Sequence, residues 1–199
     1  MSGQVYAREA SGKWVHHDEG LFRPSAYDDD SDDDPVNLFN CIDGNDARDL
    51  YVVGDDGVAF HHDGYMWSKL DVPTTEHLQW VRCYGRDEVY LCGYNGVLLK
   101  GNARDGFKDV STVEDNYTWW CLCKFQDKVY LSAVEGLFAW DGQKIAKVVT
   151  GLQPEVETWR VDADPAGKSL WSFGVKDLVR FDGQHWQRFH HPDNPRIGE

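Results

Sequence analysis

The chain has 199 residues, with 34 Asp and Glu against 20 Lys and Arg, a formal net charge of −14 and a mean hydropathy of −0.58. That length can bury a real core, while the acidity disfavours phosphate tracking, because nucleic-acid binders draw their affinity from Lys and Arg. No stretch approaches the roughly 18 consecutive apolar residues of a membrane span, and Met1-Ser-Gly-Gln-Val-Tyr6 lacks a basic segment followed by an apolar one. The expectation is a cytoplasmic protein with a basic protein partner, and with no nucleic acid or membrane among its partners.

The five cysteines are odd in number and form no C-x-x-C pair. A disulfide framework or structural zinc site is not expected, and the thiols should be reduced and mostly buried. In chain order, residues 1–22 hold Gln4-Val-Tyr-Ala and Ser11-Gly-Lys-Trp-Val15, which look like two strands of a larger unit. Residues 23–36 form an acidic loop containing Asp28, Asp29, Asp30, Asp32, Asp33 and Asp34. It offers oxygen ligands, but lacks the glycine and distal glutamate of an EF-hand loop.

A repeat of about forty residues follows. Asp49-Leu-Tyr-Val-Val-Gly54, Glu88-Val-Tyr-Leu-Cys-Gly93, Lys128-Val-Tyr-Leu-Ser-Ala133 and Ser169-Leu-Trp-Ser-Phe-Gly174 align, with Leu50, Val89, Val129 and Leu170 spaced 39, 40 and 41 apart. Each has the aromatic and β-branched content of a strand. A short turn leads to a second strand, with Gly57, Gly96, Gly136 and, in the last unit, Asp177 at the corresponding position. Asp63-Gly64, Asp105-Gly106, Asp141-Gly142 and Asp182-Gly183 then signal another hairpin. Upstream, Phe39, Trp80, Trp120 and Trp159 start a strand of their own. The unit is a four-stranded meander A-B-C-D, and its recurrence predicts β-propeller blades.

The predicted fold class is therefore all-β, a small β-propeller with four complete four-stranded antiparallel blades plus an N-terminal partial blade. The blades cover 37–74, 75–112, 113–150 and 151–191, within one domain of residues 1–199 that ends in a tail over 192–199. Closure with four blades, with five, or through a second copy joined at the partial blade stays open.

Leu50-Tyr-Val-Val-Gly-Asp-Asp-Gly-Val-Ala-Phe-His-His-Asp-Gly-Tyr-Met-Trp67 resembles a bacterial propeller repeat of photosystem-assembly-factor-like and sialidase-like propellers. Leu170, Trp171, Gly174, Asp182, Gly183 and Trp186 repeat the pattern, as do Val129, Tyr130, Gly136, Asp141 and Gly142, with Ile145 replacing the last Trp. Blade two departs most, with Phe107 directly after its Asp-Gly. The resemblance covers about residues 37–190 and implies a scaffold rather than a reaction. No sialidase arginine triad maps onto the chain.

The meander places B–C turns and D–A connections at one end and A–B and C–D turns at the other. The first end is expected to collect the six aspartates of the acidic loop with Asp55, Asp56, Asp71, Glu76, Glu114, Asp115, Glu135, Glu155 and Glu157, against Lys176 as a clear base. The other end mixes Arg48, Arg86, Arg104, Lys128 and Lys168 with acids. A rim of one sign steers cationic partners. The candidate partner-binding residues are Asp28, Asp29, Asp30, Asp32, Asp33, Asp34, Asp55, Asp56, Glu114, Asp115, Glu135 and Glu155, with Trp119 as an exposed aromatic.

Three His-His doublets, at 16–17, 61–62 and 190–191, invite a metal reading, but strand neighbours point to opposite faces. Cys121 and Cys123 share one face beside Trp119 and Trp120, and are expected in the core. Trp14, Trp67, Trp80, Trp120, Trp159 and Trp186 hold repeat positions expected to be core as well. No phosphate loop, H-E-x-x-H or Ser-His-Asp spacing appears, so no catalytic residue, metal or cofactor is assigned. The reading is a non-catalytic protein-binding module, with an immunity protein that neutralises a nucleic-acid-cleaving toxin as its most specific form. The alternatives are a lectin-like propeller and an assembly-factor scaffold.

Overall fold

A computed structural model of the chain describes residues 4–21, 38–113 and 116–190. Among these, β1 (Tyr6–Arg8) and β2 (Trp14–His16) pair as a lone hairpin. The remaining strands form four sheets in chain order. The first holds β3 (Phe39–Asp46), β4 (Asp49–Gly54), β5 (Ala59–His62) and β6 (Trp67–Lys69). The second holds β7 (Leu78–Cys83), β8 (Val89–Gly93), β9 (Leu98–Asn102) and β10 (Gly106–Asp109). The third holds β11 (Cys121–Phe125), β12 (Lys128–Ala133), β13 (Gly136–Trp140) and β14 (Ile145–Lys147). The fourth holds β15 (Arg160–Ala163), β16 (Leu170–Phe173), β17 (Leu178–Phe181) and β18 (Trp186–Phe189). Four meanders and a hairpin are the blades and partial blade that the repeat predicts.

By contacts the chain divides into two compact units, Met1–Tyr90 with Lys100–Lys108, and Leu91–Leu99 with Asp109–Glu199. In the first unit, inner strands β3 and β7 pack together, and bonds between them recur at a forty-residue offset. The Cys83 amide donates to Asp43 at 2.9 Å and the Gly85 amide to Asn45 at 2.9 Å, and Arg86 pairs with Asp46 at 2.6 Å. The sequence repeat is thus also a repeat of contacts. In the second unit, β11 packs on β15 the same way, with the Cys121 thiol 3.2 Å from the Val161 carbonyl. None of the five cysteines is in a disulfide, and Cys92, Cys121 and Cys123 are buried.

The first unit's core joins Leu21, Val52, Phe60 and Trp67, with Val5 and Phe39 packed against it. The segment after β2 is bound to the outer strand: the Trp67 indole donates to the His17 carbonyl at 2.7 Å, and the Trp67 amide to the Glu19 carbonyl at 2.8 Å. His17 and His62 lie ring to ring at 4.3 Å. One member each of two doublets therefore meet, with the Trp67 ring 5.0 Å from that of His62. Burial, then the neighbouring His17, hold His62 below its ordinary 6.5. A depressed folded-state pKa means that the unfolded chain binds the extra proton. The stabilisation is therefore present above pH 6.5 and lost as pH falls through the folded value. The urea midpoint should drop on acidification from pH 7.5 to 5, and His62→Gln should flatten that dependence.

The C–D turns differ from an Asp-Gly loop. Asp63 Oδ1 accepts the amides of Tyr65 and Met66 at 2.8 and 3.1 Å, Asp141 those of Gln143 and Lys144 at 2.9 Å each, and Asp182 those of Gln184 and His185 at 2.9 and 2.7 Å. The aspartate flanks the turn as an acceptor, and the glycine takes the first central position with φ of 100°, 98° and 95°. These amides hold all three carboxyls below the usual carboxylate range. Blade two corrects the repeat register, because its acceptor is Asn102, which receives Arg104 and Asp105 at 2.9 and 2.8 Å. Asp105-Gly106 lies three residues further on, where Asp105 pairs with Arg104 at 2.7 Å.

Candidate protein-docking site

The B–C turns and the D–A connections share an end, as the topology requires. In the first unit, Asp55-Asp56-Gly57 turns tightly, with φ of 54° at Asp56 and 69° at Gly57. The Gly57 amide donates to the Glu76 carbonyl at 2.9 Å. A Cβ at Gly57 would stand 2.3 Å from the Thr74 carbonyl oxygen, so this glycine is required by close approach as well as by φ. Asp55 accepts from Asn40 at 2.9 Å and lies 3.3 Å from His77 Nδ1. The Asp56 side chain is 87% exposed. Asp71 is exposed too, and Glu76 is half-buried. Asp56 and Asp71 are therefore the carboxylates here most open to a partner.

The second unit's turn end is less one-sided than its sequence suggests. Glu135, Glu155 and Glu157 are exposed, but Lys147 pairs with Glu155 at 2.6 Å. Asp177 is the first residue of a buried ion pair with Arg188 at 2.8 Å, their side chains 1% and 7% exposed. Arg188 also donates to the carbonyls of Gln153 and Pro154 at 3.0 and 2.8 Å, tying β18 to the connection before β15. Both cations reach this end from outer strands, which a count of turn residues misses. A cavity of about 140 Å³ beside them, lined by Leu137, Val148, Leu152 and Val156, is smaller than the ~300 Å³ at which small-molecule pockets begin.

Of the sequence candidates, Asp28, Asp29, Asp30, Asp32, Asp33, Asp34, Glu114 and Asp115 lie outside the described residues. Trp119 is a correction. It is fully buried, stacked on Tyr117 at 5.4 Å and edge-on to Phe138 at 5.1 Å. Its amide is bonded to the Gly93 carbonyl at 2.9 Å, so it can neither touch a partner nor stack on a sugar. Two core assignments change as well, since Trp14 is 62% exposed and Trp159 is 42% exposed. Trp67 is 1% exposed, and the other repeat tryptophans are half-buried. The aromatic that sequence reasoning missed at this surface is Trp159, whose indole donates to Glu157 at 3.3 Å. The opposite end carries mixed pairs, Arg86 with Asp46 at 2.6 Å and Arg104 with Asp87 at 2.8 Å.

Among the described residues no group of three or more His, Cys, Asp or Glu is placed to hold a metal, and no helix is long and apolar enough to cross a membrane. No family model matches the chain. It is 30% identical over 188 residues to the Immune protein Tsi7 of Pseudomonas aeruginosa, across 94% of this chain and 58% of that protein. The chain thus spans a little over half the length of that relative. Among solved structures, the WD40 β-propeller domain of Doa1 superposes with a TM-score of 0.58 at 11% identity, covering 79% of this chain and 56% of that one. YCF48 bound to D1 peptide does so with a TM-score of 0.57 at 12% identity, covering 76% and 55%. These likenesses and the four meanders make the scaffold that of a β-propeller.

Proposed function

We propose that this chain is an immunity protein that binds a cationic toxin through its acidic turn ends and occludes the toxin's active surface. The observation that carries this reading is the similarity to an immune protein along 94% of the chain. The exposed Asp56 and Asp71 in the first unit, and Glu135 in the second, supply the matching charge. A nuclease is the toxin class that fits best, because a site built to hold phosphates must be basic and an acidic protein can take their place. On this reading the protein acts in the cytoplasm, by binding rather than by catalysis.

Immobilised protein, exposed to source-cell lysate at low and high salt, should retain a basic protein near stoichiometry, more weakly at high salt. That protein should degrade nucleic acid when alone and stop when this chain is added. Retention of no such protein, or of one whose activity is unaffected, would overturn the proposal. Replacing Asp28, Asp29, Asp30, Asp32, Asp33, Asp34, Asp55 and Asp56 with asparagine should slow association about tenfold and flatten its salt dependence, with the dissociation rate nearly unchanged. Stopped-flow mixing across a salt series checks this. Unchanged association would remove the steering role.

A further inference from the structure

His62 is a buried titratable group that the docking reading does not use. It is 2% exposed and stands between Leu50 and Trp67 in the sheet register. The Gly64 amide donates to its Nδ1 at 3.1 Å, which assigns the neutral ring its proton on Nε2, since an amide N–H can only donate. The His17 ring lies against it at 4.3 Å and the Trp67 ring at 5.0 Å. Trp67 in turn holds the segment that carries His17, through its indole to the His17 carbonyl and its amide to the Glu19 carbonyl, and Leu21 is buried at the segment's end. A Cβ at Gly20 would stand 2.2 Å from the Trp67 carbonyl oxygen, so the segment's backbone lies directly on β6. The titratable and charged groups around His62 are His61 and Asp63 beside it in the chain, His17 with its neighbours Asp18 and Glu19 on the segment, and Arg48, whose side chain lies over Gly64 from the A–B turn. Burial is the largest influence on the ring and His17 the next, and both oppose its charge; Asp63 and a bond with the Ala47 backbone favour it less strongly.

We propose that His62 and His17 form an acid-operated latch, which on protonation releases residues 17–21 from β6 and leaves the first blade folded. A proton on His62 enters at Nδ1, because Nε2 already carries one, and it turns the acceptor of the Gly64 amide into a second donor pointed at it. The charged ring must then leave its buried position or draw in water, and a charged His17 beside it adds repulsion. What yields is decided by what holds each side. β5 is paired with β4 on one edge and β6 on the other, whereas the segment is held on β6 by the Trp67 bonds and the burial of Leu21. Local opening of so weakly held an element costs less than unfolding the blade. Release uncovers the apolar cluster of Val52, Phe60 and Trp67, and because the chain runs on from Leu21 into the acidic segment over 23–36, it also unfastens the chain at the entry to those aspartates.

Hydrogen exchange of the full chain, read by NMR as protection factors so that the intrinsic pH dependence of exchange cancels, tests the latch. Between pH 7.5 and 5.5, protection at the Leu21 and Trp67 amides should fall about tenfold or more, while at the amides joining β4 to β5 it should change by less than about twofold. His62→Gln should remove the pH dependence at Leu21, and His17→Gln should reduce it, whatever baseline protection either variant sets. Gly20→Ala, whose Cβ forces the segment off β6, should show at pH 7.5 the pattern that the native chain shows at pH 5.5, with the blade amides still protected. Protection lost uniformly across the blade, or unchanged at Leu21, overturns the proposal. So does a pH dependence that survives His62→Gln, and its loss in His16→Gln would then place the titration in the exposed pair of His16 with Asp18.

Discussion

Arg188→Ala is expected to destabilise the second unit by about 3–5 kcal/mol, because it leaves the Asp177 carboxylate buried without its countercharge. Both side chains are nearly inaccessible, 7% and 1% exposed, and two parallel contacts of 2.8 and 3.0 Å join them. The same guanidinium satisfies the carbonyls of Gln153 and Pro154, so its loss also orphans backbone acceptors. Asp177→Ala should cost a similar amount, for the reverse reason. The double variant Arg188→Met with Asp177→Leu should recover much of the loss, since an apolar pair of similar volume leaves no buried charge. Urea unfolding followed by tryptophan fluorescence checks the set. A double variant no more stable than either single one would show that the carbonyl bonds, and not the ion pair, carry the effect.

Trp67→Ala should destabilise the first unit by about 3–5 kcal/mol through the cavity it leaves. Trp67 lies at the centre of the cluster with Leu21, Val52 and Phe60, and holds the segment after β2 by its indole and its amide. Trp67→Phe keeps a ring in place but loses the indole bond to the His17 carbonyl, worth about 1 kcal/mol, and part of the buried ring volume, so it should cost more than that bond and less than the alanine. Hydrogen exchange at the Leu21 and Trp67 amides should accelerate strongly in the alanine variant and slightly in the phenylalanine one. Equal acceleration in both would place the hold in the hydrogen bond alone.

The blades were legible because the same local chemistry recurs. Val89, Val129 and Leu170 fall on the second strand of their sheets and are 0%, 2% and 0% exposed, while Leu50 at the same repeat position is half-buried. The tryptophans were less legible, because the repeat gives a residue's place along a strand but not what covers its face. Trp14 occupies a D-strand position like Trp67, yet among the described residues its hairpin is a two-stranded sheet and the residue is 62% exposed. Trp119 and Trp120 are adjacent, yet the first packs on Tyr117 and Phe138 and the second on Tyr94 and Trp159. Neither spacing nor composition says which face is outward. Charge was misjudged for a related reason. Lys147 and Arg188 lie on D strands, and their reach back to Glu155 and Asp177 depends on side-chain length, which no assignment of loops to ends contains. The exposure of Trp159 was missed because it fits the core pattern by position.

The C–D turns bear on how this scaffold tolerates change. The flanking residue serves only as an acceptor for two amides, a task done by a carboxylate in Asp63, Asp141 and Asp182 and by a neutral amide in Asn102. An exchange of Asp for Asn there alters net charge by one while leaving the hydrogen-bond pattern and the course of the chain as they were. The blades can thus drift in charge independently of their architecture, and descendants of one sequence could diverge in surface potential, and so in whom they recognise, without first surrendering a foldable repeat.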